Sequence, residues 1–307
     1  MGKRSKVILE IIFLLIIISS LYLSYYIQEK ISLRNKEIKK DNTLLTEEKK
    51  SFTENEKKLK LLEEDISFYQ NIDSHIQELK DQYFKHIKEL EEKIEKGESK
   101  DKIAYLTFDD GPYYNTYKVL DILDQYGVKA TFFTISMNGE YCYDNKNENC
   151  FLLYKEYVKR GHTIANHTYT HGIRRGLYNS VNSFIDAVER QEKHVKEQTG
   201  GYVTNIVRFP GGSSTAKGLK YPIIEALKKK GYGWVDWNAG DGDGGALAST
   251  DQAWSNLKST INDDIEVILF HDYSKITTSI LPDVITYLRE NGYQLYPLFY
   301  DSVMIHK

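Results

Sequence analysis

The sequence predicts an α/β fold from Lys102 to the C-terminus, preceded by a long helical segment. Three observations carry that reading. From Lys102 onward short apolar runs alternate with amphipathic stretches, the pattern of a parallel sheet, open or closed into a barrel. Asp109, Asp110, Arg208, Asp243 and His271 all fall at or just past the end of an expected strand, where barrels of this kind gather their chemistry. Between Gln28 and Lys96 there is neither Gly nor Pro, so nothing there interrupts a helix.

Taken in order, the 307 residues open on an almost continuously apolar run, Val7 to Ile27, with Glu10 as its one charge. About 20 such residues at 1.5 Å each cross a bilayer core of roughly 30 Å. Lys3, Arg4 and Lys6 lie just before it, which puts the N-terminus in the cytoplasm and the rest outside. The flank YLSYYIQEK lacks the small residues of a cleavage site, so an uncleaved transmembrane anchor is preferred to a removed signal peptide. Next, Ile31, Ile38, Leu45, Phe52, Leu59 and Ile66 recur every seven positions, and Ile72 to Ile94 continue in steps of three and four. This is coiled-coil spacing, with a three-residue step from Tyr69 to Ile72. A helical stalk of roughly 100 Å follows at 1.5 Å per residue. It pairs as a homodimer, folds back as a hairpin or stands as a lone charged helix.

Gly97 ends that pattern. Strands are expected at Ile103–Phe108, Val128–Ile135, Thr163–Ala165, Asn205–Phe209, Gly233–Asn238, Glu266–His271 and Gln294–Pro297. Helices are expected at Thr116–Tyr126, Phe151–Arg160, Val181–Thr199, Ile223–Lys230, Ala253–Ile261 and Ile280–Glu290. The domain division is therefore 1–27 anchor, 28–99 stalk and 100–307 catalytic domain.

A net charge of −3 gives no broad attraction to nucleic acid. The two cysteines, Cys142 and Cys150, stand close together in a polar stretch with no further Cys or His, and read as a disulfide staple outside the membrane. The chemistry lies in TFDDGP, HTYTH and LFHD. Asp110 with His167 and His171 offers one oxygen and two nitrogens to a divalent cation and leaves a position open for water. The spacing of four in HTYTH brings both imidazoles to one side of a helical turn. Asp109 and His271 remain to move protons.

These strings, together with RFPGG (208–212) and DWNAGDGD (236–243), resemble in order the motifs of the NodB-like polysaccharide deacetylases, carbohydrate esterase family four. The resemblance covers Lys102 to the C-terminus. It implies a distorted (β/α) barrel and a deacetylase dependent on Zn2+ or another divalent ion such as Co2+. It further implies that Asp110, His167 and His171 hold the metal, that Asp109 is the base and His271 the acid, and that Leu269 walls the acetyl pocket. Arg208 is expected to orient Asp109, backed by Asp243, with Asp241 the next choice. Where the family has tyrosine after RxP this chain has Gly211, whose N–H still serves the oxyanion. Asp243–Gly244 replaces a common Asp–Trp, leaving Trp237 or Trp234 to supply aromatic surface. Tyr113, after the first motif, is a substrate-binding candidate. An outward-facing domain on a membrane anchor makes peptidoglycan N-acetylglucosamine the expected substrate. Chitin oligomers, an exopolysaccharide or O-acetyl xylan fit the same chemistry, and a non-enzymatic glycan-binding scaffold is the contrasting class.

Overall fold

The computed structural model describes residues 3–70, 85–136, 142–247, 249–299 and 302; in the first helix, side chains are described for 13–64, 66 and 67. The chain divides into two compact units, Met1–Ser67 and Phe68–Lys307. The first is built from helix α1 (Lys3–Gln70), along which Ile31, Ile38, Leu45, Phe52, Leu59 and Ile66 are all exposed. The remaining stalk positions Ile72, Ile76, Leu79 and Tyr83, and the three-residue step before them, lie outside the described residues. Among the described residues no helix is long and apolar enough to cross a membrane. The run assigned to an anchor is covered only in part, since the side chains of 7–12 lie outside that set.

In the second unit a helix over 85–95 (α2) precedes a parallel sheet and its helices. The elements are β1 (Lys102–Asp109), α3 (Thr116–Gln125), β2 (Thr131–Thr134), α4 (Leu152–Lys159), β3 (Thr163–Asn166), α5 (Val181–Thr199) and β4 (Ile206–Val207). They continue with α6 (Lys220–Lys229), β5 (Gly233–Trp234), β6 (Ala239–Gly240), α7 (Thr250–Thr260), β7 (Ile265–His271), α8 (Lys275–Glu290) and β8 (Tyr293–Leu295). The sheet runs β5-β4-β3-β2-β1-β7-β6, with β8 on the first half of β1. Every described strand pairing is parallel, and helices cover the outer face, giving the curled half-barrel of a distorted (β/α) barrel.

Strand alternation sorts the inner and outer faces. On β1, Ala104, Leu106 and Phe108 face the layer under α3, α4, α7 and α8. Ile103 and Tyr105 face inward, joined by Phe133, Ala165, Ile206, Val235, Val267 and Leu298. The same alternation turns Thr107, Asp109, Leu269 and His271 inward, one above the other toward the strands' C-terminal ends. The opposite end is plugged by α2, whose Ile87, Leu90 and Ile94 join that inner cluster. Periodicity assigned these three to the stalk; apolar steps of three and four describe any helix with one buried side, and here the side is buried in the barrel. Glu91, also buried on α2, accepts a hydrogen bond from Tyr105 Oη.

Several expected elements shift at their ends, and two differ most. Of the strand expected over Gly233–Asn238 only Gly233–Trp234 forms, as β5; β6 follows directly after the expected range, and the two sit at opposite ends of the strand order. Val235 N–H bonds Val207 O at 3.0 Å and Asn238 N–H bonds Val267 O at 3.1 Å, so this short segment bridges the two edges. Helix α8 starts five residues earlier than Ile280, because Ser274 caps it by accepting the Thr277 N–H.

Candidate active site

The ends of β1, β3, β4 and β7 and the loop after β6 converge on one cleft. At the end of β1, Asp109 is buried and Asp110 turns back with φ 70° into the left-handed region. Gly111 follows where any Cβ would collide with the Asp272 carboxylate, so glycine is required for this close approach.

Asp110 Oδ1 lies 3.6 Å from His167 Nε2 and 3.7 Å from His171 Nε2, and Asp110 Oδ2 lies 3.8 Å from His271 Nε2. Donor atoms of Asp110, His167 and His171 lie within 4.8 Å of one another. Asp110 Oδ1 is buried without a hydrogen-bond partner, an arrangement that costs free energy unless a cation or proton satisfies it. One carboxylate and two imidazoles suit a borderline divalent ion, so the residues fit the expected metal. His167 Nδ1 meets Arg208 O at 2.9 Å, which leaves Nε2 facing Asp110 as a ligand nitrogen. Burial lowers the His167 pKa and favours the neutral, ligating ring. The two histidines do not share a helical turn. They leave β3 in an irregular loop, and left-handed Thr168 (φ 65°) and His171 (φ 48°) bring the rings to 4.9 Å.

On one side of this trio Asp109 Oδ1 accepts from Arg208 Nη1 at 2.8 Å, and its Oδ2 lies 3.6 Å from His167 Nε2. Arg208 is completely buried; it also donates to Thr107 Oγ1 at 2.8 Å and Asp236 O at 3.0 Å, and lies 4.0 Å over the Phe133 ring. The acidic residue beside Arg208 is Asp236, whose carboxylate accepts from Ser213 N–H at 2.8 Å and Ser213 Oγ at 2.6 Å. Asp243 was expected there. It instead accepts from the His271 N–H and pairs with His271 Nδ1, both at 2.7 Å, and takes the Thr277 hydroxyl at 2.8 Å. Asp236 precedes β6 and Asp243 follows it, and only the path of the chain across the barrel decides which reaches the arginine. Asp241, the second choice, accepts from Thr277 Oγ1 at 2.7 Å; burial and the neighbouring Asp243 raise its carboxyl to about 7.

His271 therefore sits opposite Asp109. Burial opposes its charged form, but the hydrogen bond and charge of Asp243, with Asp109 and Asp110 adding to them, outweigh that and push it up to about 9. Leu269 is half-buried between buried neighbours on β7, as a pocket wall would be. Gly211 (φ 74°) forms an exposed turn after β4, and its carbonyl accepts from Thr215 Oγ1 at 2.7 Å. Trp237 is half-buried 5.8 Å from the Arg208 guanidinium, packed within 3.2 Å of where a Gly212 side chain would begin. Tyr113 stands at the acid side, its ring 5.3 Å from Tyr273, which is itself 5.0 Å from the His271 ring. Cys142 and Cys150 form the expected disulfide. Sequence reasoning missed Thr107, Asp236 and Thr277; the Asp–Trp pair at 236–237 was the available signal for the second.

A family model described as polysaccharide deacetylase matches residues 96–233. The Bacillus subtilis protein YheN, whose name assigns it to the polysaccharide deacetylases, is 33% identical over 230 residues, 72% of this chain and 74% of that protein. A peptidoglycan-N-acetylglucosamine deacetylase of Bacillus cereus is 29% identical over 199 residues, 63% of this chain and 68% of that protein. Among solved structures, the catalytic domain of peptidoglycan N-acetylglucosamine deacetylase from Eubacterium rectale superposes with a TM-score of 0.61 at 35% identity, covering 67% of this chain and 93% of that one.

Proposed function

The chain belongs to the polysaccharide deacetylase family, and on that premise we propose that it hydrolyses N-acetyl groups of peptidoglycan N-acetylglucosamine, using Zn2+ or Co2+ held by Asp110, His167 and His171. The observation that carries the reading is the meeting of a buried, unpartnered Asp110 oxygen with two imidazoles, flanked by an arginine-held carboxylate and a carboxylate-held imidazole. The peptidoglycan substrate is supported by the relatives named for it.

When bound, such an ion acidifies water and polarises the acetyl carbonyl. The protein's own groups do the rest. Asp109, kept in place by Arg208, accepts a proton from the attacking water. The Gly211 N–H is assigned, on the family resemblance, to the charge that develops on the acetyl oxygen. His271 gives its Nε2 proton to the departing sugar amine, and Asp243 holds the ring through Nδ1 so that Nε2 points inward. Leu269 bounds the methyl end of the acetyl group.

The apolar run Val7–Ile27 is read as an anchor placing the catalytic unit outside the cell, and the heptad stripe of α1 as a homodimer seam; their support is the sequence. The test is release of acetate by the full chain, loaded with Zn2+, from peptidoglycan, from N-acetylglucosamine oligomers and from acetylated xylan. Acetate from peptidoglycan is expected. Acetate only from acetylated xylan would replace the substrate, and none from any glycan would sink the enzyme reading.

A further inference from the structure

Three tyrosines from three separate loops line the acid side of the cleft. Tyr273 follows His271 on the exit from β7 and is 36% exposed. Tyr113 follows the first motif and meets Tyr273 at 5.3 Å, edge to face. Tyr143 lies between the disulfide cysteines, meets Tyr113 at 6.4 Å, edge to face, and is 75% exposed. The rings step outward from the imidazole to solvent.

Their loops are cross-tied. The Asp144 carboxylate, next to Tyr143, accepts from the N–H groups of Tyr114 at 2.7 Å and Asn115 at 3.1 Å. Asn115 Nδ2 donates to Asp272 O at 2.8 Å and Thr278 Oγ1 at 2.9 Å. Thr116 Oγ1 donates to the buried Asp272 carboxylate at 2.5 Å and accepts the Tyr113 N–H at 3.0 Å. The disulfide closes the loop carrying Tyr143 at a Cα separation of 4.9 Å. An exposed tyrosine held this firmly next to a reacting centre loses little conformational entropy when a ring packs on it. A phenol ring offers a flat apolar face with a polar tip, suited to the C–H face of a pyranose whose hydroxyls stay in water.

Resting on the deacetylase reading, we propose that Tyr273, Tyr113 and Tyr143 form a stacking subsite for the pyranose next to the deacetylated sugar, held in place by the Cys142–Cys150 disulfide and Asp144. The enzyme then reads a glycan chain in preference to a single amino sugar. Binding of a β-1,4-linked N-acetylglucosamine tetramer to the full chain, measured by calorimetry beside the acetate assay, tests it. Tyr143→Ala is expected to weaken tetramer binding on the order of tenfold. Tyr143→Phe should keep it, and Asp144→Ala should weaken it severalfold. Because Tyr143 is mostly exposed, its truncation leaves folding intact. Equal tetramer affinity in wild type and Tyr143→Ala, or no tetramer binding by wild type, overturns the subsite. Binding that responds to Tyr143 without acetate release would overturn the deacetylase reading and leave the subsite standing.

Discussion

The inner face of β1 ends differently at the two ends of the barrel. Below, Ile103 and Tyr105 meet Ile87, Leu90 and Ile94 of α2, and a buried acid of that helix, Glu91, is bonded by the Tyr105 hydroxyl. Burial first, and Glu91 second, hold that hydroxyl well above the ordinary tyrosine range, so the pair stays a neutral donor on an acceptor. Above, Thr107 and Asp109 meet Arg208, His167 and Asp110, and one Asp110 oxygen stays buried without a partner. The lower end fills its volume and contributes stability. The upper end keeps charges whose desolvation is offset by each other and by the ion they fit, which is the signature of a working site.

The largest effect expected from this contrast falls at the top. Asp109→Asn should lower kcat/KM on the order of a thousandfold. Its Zn2+ content should hardly change, while its thermal midpoint should fall, because the completely buried Arg208 loses its paired charge. Steady-state acetate release with metal analysis checks both, and surviving turnover would mean that the base is another group. At the bottom, Ile87→Ala should cost about 2–5 kcal/mol of stability in denaturant unfolding. If it also abolished metal binding, the two ends would not be separable as described.

Within the top, Asp243→Asn should bring His271 down from about 9 toward its ordinary value near 6.5. The alkaline limb of the rate profile should then move to lower pH, because the acid form is lost sooner. The same linkage has a stability sign. A raised folded-state pKa stabilises fully below about 6.5 and the gain fades as pH rises through about 9. Histidine NMR of the chelator-treated protein reads the midpoint directly; an unmoved midpoint would show that Asp243 does not set it.

The smallest effect lies at the lower end of β7, where burial raises Glu266 from 4.5 to about 7 despite the N–H groups of Asp263 and Asn262 that it accepts. Its charged form is disfavoured in the fold, so stability should fall as pH rises from about 4.5 to 7 and then level off. Glu266→Gln should flatten that slope. An unchanged slope would assign it to Asp241 or Asp272, both also raised by burial.

Much of this was legible in the chain. Helix α5 appears over the expected Val181–Thr199, and Asp109, Asp110, His167, His171, Arg208 and His271 share one cleft. Strand and helix periods, and the ligand preferences of a divalent ion, are local or chemical facts that residue types carry with them. Contacts between distant segments are not. That α2 belongs to the barrel, that 233–240 spans both sheet edges, that Asp243 serves His271 while Asp236 stands by Arg208, and that Tyr143 reaches the cleft were decided by tertiary structure. An amphipathic pattern states that a face will be buried, but only the path of the folded chain supplies the surface that buries it.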